Sequence, residues 1–124
     1  MKTLFRWIAV SMLLIGLAVV VQAQNPAVRM KAGPPTELIS YTLQNLNAAV
    51  ISIGVVELRV FDAKTCKLLC ATRNPLNKRI LPCKTLDGQI RCSHPLPQAS
   101  GYIYWLRIRN SAGTVMTENW LYVP

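Results

Sequence analysis

With 124 residues, fourteen Lys and Arg and only five Asp and Glu, the chain is small and basic, at a formal net charge of +9. A chain of this size makes one domain around one core, near the lower end of what is stable unaided. Its single histidine, few acids and lack of paired carboxylates, phosphate-cradling loop or cofactor fingerprint argue against an enzyme and give no cofactor to expect.

Residues 1–23, MKTLFRWIAVSMLLIGLAVVVQA, read as a signal peptide. Lys2 and Arg6 supply a positive start, Trp7–Val21 an apolar stretch, and Val21-Gln22-Ala23 a small-residue cleavage site. The apolar run falls short of the ~20 residues that a membrane span needs. Cleavage after Ala23 is therefore expected, and an uncleaved leader would be the one route to a membrane. No cysteine precedes Cys66, which excludes acylation near the leader. The mature chain, Gln24–Pro124, keeps twelve Lys and Arg against Glu37, Glu57, Asp62, Asp87 and Glu118, a net of +7. Export places it in the periplasm or outside the cell. Such a surface favours acidic proteins, anionic glycans or lipid head groups, with nucleic acid not expected.

Along the mature chain, residues 24–36 carry three prolines and no apolar period. They read as a flexible N-terminal arm or an extended edge segment. The domain is expected over 37–124. Ile39, Tyr41 and Leu43 alternate with polar residues, as in a half-buried strand, and Asn45-Leu46-Asn47 follows as a turn. In Ile53–Phe61, Val56, Leu58 and Val60 share one face while Val55, Glu57, Arg59 and Phe61 share the other. Asp62–Cys66 is a turn, with Cys66 where such turns often carry glycine. Lys67–Thr72 returns as a strand, and Arg73–Arg79 reads as a polar loop.

Ile80–His94 is predicted to be a hairpin. Asp87-Gly88 between two strand-like runs is a strong signal for a tight turn. That register sets Cys83 opposite Cys92, at a pair where Cα atoms approach to roughly 4.5 Å, within disulfide reach. Four cysteines in an exported chain predict two bridges. Cys66 and Cys70 are left over, four residues and ~13 Å apart in an extended strand. Either a kink joins them, or the pairing crosses as Cys70–Cys83 with Cys66–Cys92. The spacing does not match a structural zinc site, so no metal is expected.

Tyr102–Arg109 alternates Tyr102, Tyr104, Leu106 and Ile108 against Ile103, Trp105, Arg107 and Arg109, and Thr114–Val123 is the last strand. Seven to eight short strands without a helix predict a small antiparallel β-sandwich. Leu96–Gly113, LPQASGYIYWLRIRNSAG, resembles the late-strand signature of fibronectin type III and related Ig-like domains, through Leu96, Tyr102, Tyr104, Leu106, Asn110 and Gly113. The resemblance implies that Tyr102 opens the penultimate strand and forms a tyrosine corner, its hydroxyl bonding back to the preceding connection. It implies no ligand.

Two surfaces have functional flavour. Lys64, Lys67, Arg73, Lys78, Arg79, Lys84 and Arg91 face a single acid, Asp87, in their stretch. They read as a solvated face, with an anionic-partner surface as the functional alternative. Trp105 shares a face with Arg107 and Arg109, one strand from Trp120, and offers an aromatic and cationic contact. The expected function is an exported, non-catalytic binding module: an envelope accessory, adhesion or assembly component. One alternative is an inhibitor or toxin-like effector presenting the stapled hairpin. Another is a subunit of a secretion or pilus-type machine that lends an edge strand. A small hydrolase using His94 comes last.

Overall fold

The computed structural model describes residues 25–124, so the leader expected at 1–23 lies outside the described residues. The chain forms seven strands: β1 (Ala27–Ala32), β2 (Leu38–Gln44), β3 (Ile51–Asp62), β4 (Leu68–Ile80), β5 (Thr85–Arg91), β6 (Tyr102–Asn110) and β7 (Val115–Val123). They make two antiparallel sheets, ordered β1-β2-β5 and β4-β3-β6-β7. The chain crosses between the sheets three times, after β2, β4 and β5.

Period-two alternation builds the core. Ile39, Tyr41 and Leu43 of β2 and Ile90 of β5 meet Val56, Leu58 and Val60 of β3 and Tyr104, Leu106 and Ile108 of β6, all buried. Each such side chain contributes roughly 1.5–3 kcal/mol through the apolar surface it removes from water. The two sheets thus share one apolar layer, consistent with a β-sandwich.

Of the two readings of the N-terminal segment, the extended edge segment is the one that forms over Ala27–Ala32. Ala27–Ala32 pairs along β2 as an edge strand, because Val28 and Met30 reach the core on alternate positions. The polar loop expected at Arg73–Arg79 is likewise strand. It continues β4 along β3, with Pro75 tolerated because β4 is an outer strand of its sheet.

The predicted hairpin is absent. Asp87 and Gly88 lie mid-strand in β5, opposite Thr42 and Tyr41 of β2. Thr42 Oγ1 donates to Asp87 Oδ1 at 2.7 Å. A Cβ at position 88 would collide with the buried ring of Tyr41. Gly88 is therefore glycine for close approach of an aromatic ring, not for a turn. The reversal of direction comes earlier, where Lys84 N–H donates to the Leu81 carbonyl.

This straight β5 overturns the Cys83–Cys92 pairing, since nine extended residues separate the two by roughly 30 Å. The bridge instead joins Cys70 of β4 to Cys92, just past β5, with Cα atoms 6.1 Å apart. It ties one sheet to the other along the β4–β5 side. Cys66 and Cys83 are exposed free thiols. Neither the Cys66–Cys70 bridge nor the crossed pairing forms. Cys66 precedes β4 and Cys83 follows it, and thirteen extended residues hold them roughly 40 Å apart.

Both free cysteines adopt left-handed backbone, with φ of 59° at Cys66 and 62° at Cys83. Side chains with a Cβ rarely adopt that conformation. Cys66→Gly and Cys83→Gly are each expected to leave stability unchanged or raise it by up to about 1 kcal/mol. Urea midpoints of the two variants against the parent measure this.

At the end of the sandwich near Cys83, Asn45 is fully buried and joins three connections. Its Nδ2 donates to the Ile80 carbonyl at 2.9 Å and to the Ala49 carbonyl at 2.8 Å, while Oδ1 accepts from Asn47 N–H at 2.9 Å. Its own backbone carbonyl accepts from Cys83 N–H, and its N–H donates to the Lys84 carbonyl. One side chain thus fastens β2 to the start of β3 and the end of β4.

Candidate functional site

Alternation that sends Leu58 and Leu106 inward sends their neighbours to the outer face of the four-stranded sheet. The register aligns these in rows running β4, β3, β6, β7. One row is Leu68, Phe61, Ile103 and Tyr122; the next is Ala71, Arg59, Trp105 and Trp120. The third is Arg73, Glu57, Arg107 and Glu118. Neighbours in a row sit close enough for direct side-chain contact.

The aromatic rows form a stacked column. Trp105 and Trp120 lie nearly parallel, with centroids 5.2 Å apart and planes at 13°. Phe61 stacks on Trp120 at 6.3 Å. The guanidinium of Arg107 lies 4.0 Å from the Trp105 ring centroid, and that of Arg59 lies 4.9 Å away. Trp105 is only 9% exposed although it stands outside the core cluster, because these neighbours cover it. Its Nε1 donates to Glu118 Oε2 at 2.9 Å. Trp120 remains 55% exposed, Tyr122 61% and Leu68 49%. A patch of rings and Leu68 held this rigidly in water has the character of a contact site.

Charge on the same face is paired. Arg109 Nε donates to Glu57 Oε1, and Arg109 Nη1 donates to the Gly113 carbonyl at 2.9 Å. Arg107 Nε lies 3.7 Å from Glu118 Oε2; it is buried without a hydrogen bond, pressed over Trp105. Burial pushes the Glu57 carboxyl up. The hydrogen bond and charge of Arg109, with Arg107 and Arg73, outweigh it and hold the group below its ordinary 4.5. A depressed carboxylate stabilises the fold above its unfolded pKa, and that contribution is lost as pH falls through the folded value. Stability to urea is therefore expected to drop as pH is lowered below about 4.5. Glu57→Gln should remove that part of the pH dependence.

The outer face of the three-stranded sheet is different in kind. Arg29, Thr42 and Asp87 form one row there, and Lys31, Ser40 and Gln89 another. Gln89 reaches Ser40 at 3.5 Å. This is a polar surface.

The seven basic residues of 64–91 are all exposed but do not form one cluster. The length of β4 separates them. Lys64 and Lys67 flank the β3–β4 turn, and Arg91 lies toward that end, next to the bridged Cys92. Lys78, Arg79 and Lys84 sit at the opposite end, and Arg73 stands between, on the aromatic sheet's outer face. Lys64 and Lys67 border the Leu68–Tyr122 row, so the expected basic and aromatic surfaces meet only there. His94 holds a loop: its Nε2 donates to the Leu69 carbonyl at 3.2 Å, and its Nδ1 lies 3.3 Å from Ser93 Oγ.

Trp105 and Trp120, together with Arg107, were legible as one surface from the alternation of β6 and the turn that follows it. Phe61, Arg59, Leu68 and Tyr122 complete it. Their face was readable within each strand, but which strand lies beside which was not.

No family model matches the chain, and no curated protein matches it. Solved structures do. A β-glucuronidase of Bacteroides uniformis is similar over 79% of this chain, at 12% identity and a TM-score of 0.54. B. uniformis β-glucuronidase 2, covalently bound to cyclophellitol-6-carboxylate aziridine, matches over the same share at 12% identity and a TM-score of 0.52. The chain spans 12% of the length of each of these two. A Northeast Structural Genomics Consortium target, SoR45, is similar over 82% of this chain and 88% of its own, at 14% identity and a TM-score of 0.51. At such identities the likeness is one of fold. Among the described residues, no helix is long and apolar enough to cross a membrane.

Proposed function

We propose that the protein is a periplasmic or secreted, non-catalytic binding module of the Ig-like or fibronectin-III-like kind. Its contact surface is the outer face of the β4-β3-β6-β7 sheet. The observation that carries this reading is the rigid stack of Trp105, Trp120 and Phe61, flanked by exposed Tyr122 and Leu68. A surface tryptophan already packed into place loses little entropy on binding. Support for the sandwich type comes from Tyr102, which opens the penultimate strand and donates its hydroxyl to the Pro97 carbonyl at 2.7 Å, the tyrosine-corner arrangement.

The partner is a protein rather than a glycan or lipid. Tryptophan, tyrosine and arginine around an apolar centre are the residues that dominate protein interfaces. The scattered lysines and arginines offer no single groove for an anion. The effector reading loses its premise, since no hairpin projects at Asp87-Gly88.

Hydroxyl-radical footprinting tests the reading. Trp120 and Tyr122 should be oxidised severalfold more slowly in the cells that export the protein than in the dilute purified chain. Met30, on the opposite sheet, serves as the internal reference. Equal oxidation in both settings would remove the contact surface.

A further inference from the structure

We propose that the occupant of this face is a second copy of the chain, packed face to face about a two-fold axis parallel to the strands. This rests on the reading of the outer face as a contact surface and adds the partner's identity.

The argument is the order of charges in one row. Across β4, β3, β6 and β7 stand Arg73, Glu57, Arg107 and Glu118, alternating in sign. A two-fold axis along the strands, between β3 and β6, reverses the strand order of the second copy and keeps each row at its level. Every charge then meets its opposite: Arg73 faces the second copy's Glu118, and Glu57 faces its Arg107. An axis across the strands at the level of this row would instead set each charge on its own copy, four like-charge contacts that oppose binding. With this row at the centre of the contact, charge selects the axis along the strands, and an isologous dimer requires this kind of self-complementarity.

The aromatic rows obey the same operator. Trp120, protruding and more than half exposed, falls opposite the small Ala71 of the second copy. Tyr122 falls opposite Leu68, so two further exposed apolar side chains of the face cover one another. Aligned sheets pack at about −30°, which leaves the central columns in register. With the next row, Pro75, Val55, Arg109 and Val115, the face has four rows along four strands, and strands at ~4.8 Å give it roughly 500 Å². That is at the low end for a stable interface, so the dimer is a weak one.

The test uses residues that cannot meet within one chain. Arg73 and Glu118 lie on opposite outer strands, about 14 Å apart across the sheet. Sedimentation equilibrium of the mature chain up to about 1 mM should show a reversible dimer. R73E and E118R should each weaken it by roughly tenfold or more, because each homodimer then carries two like-charge contacts. Mixing the two variants should restore the dimer, since the heterodimer regains both opposite-charge pairs. W120A, which keeps the charges, should weaken the dimer in both backgrounds. A chain that stays monomeric, or a mixture that fails to recover, overturns the second copy as occupant. Protection of Trp120 and Tyr122 in cells without dimerisation would leave the contact surface standing with a different protein on it.

Discussion

Cys70→Ser is expected to lower the stability of the domain by about 3 kcal/mol, because the bridge it removes closes 22 residues of sequence. In a domain of this size that corresponds to a drop in melting temperature of well over 10 °C, roughly 12–24 °C. Cys92→Ser should lose the same amount, and the double variant no more than either single one. The bridge acts between outer strand β4 and the end of β5, where no ladder of backbone hydrogen bonds joins the two sheets. Reductant should therefore lower the urea midpoint of the parent and leave that of Cys70→Ser unmoved. A reduced parent as stable as the oxidised one would contradict this account of the staple.

Asn45→Ala should be nearly as costly, at roughly 2–4 kcal/mol. The substitution strips the Ile80 and Ala49 carbonyls and the Asn47 N–H of their partner in a buried place. Asn45→Asp will not rescue it, since a carboxylate cannot donate to two carbonyls and would bury a charge. Denaturant unfolding with both variants measures the effect. A loss under about 1 kcal/mol would show that water can take the place of the amide.

The regular part of this fold is readable from the chain. In β2, and from Val56 to Val60 of β3, the buried set is the one the alternation selects; the irregularity at Gly54 and the apolar run Tyr102–Leu106 of β6 break the pattern, and there Ile53 and Trp105 are buried as well. Tyr102 at the head of β6, bonded back to Pro97, follows from the Leu96–Gly113 signature. The errors share one cause. Asp87-Gly88 is a strong local turn signal, yet the ring of Tyr41 needs a glycine beneath it and β2 offers a full ladder of partners. Long-range pairing overrode local preference, as strand contexts often do. Pro75 and the polar residues around it look like a loop until an outer position makes a strand proline tolerable.

The cysteines were misassigned through the same step. Once β5 is straight, Cys83 is carried away from Cys92, and Cys70 arrives from the other sheet. For the candidate site, the face of each residue was legible but not the neighbourhood. Alternation puts Arg59 and Phe61 outward on β3 and Trp105 and Arg107 outward on β6. That Arg59 stands beside Trp105, and Trp105 beside Trp120, depends on a strand order no local pattern carries. Asn45 has the sequence signature of a turn residue only, because a buried amide and an exposed one look alike in sequence.

The most direct test of the contact surface is photo-crosslinking in the cells that make the protein. A photoreactive residue at Tyr122, on the aromatic face, is compared with one at Gln89, on the polar face. The account predicts a discrete protein adduct from position 122 and none from position 89. That adduct should disappear when Trp120→Ala is added. An adduct of twice the chain mass identifies a second copy, and another mass identifies a different protein. Equal labelling from both faces, or none from position 122, would contradict the assignment of the β4-β3-β6-β7 outer face as the surface through which this protein acts.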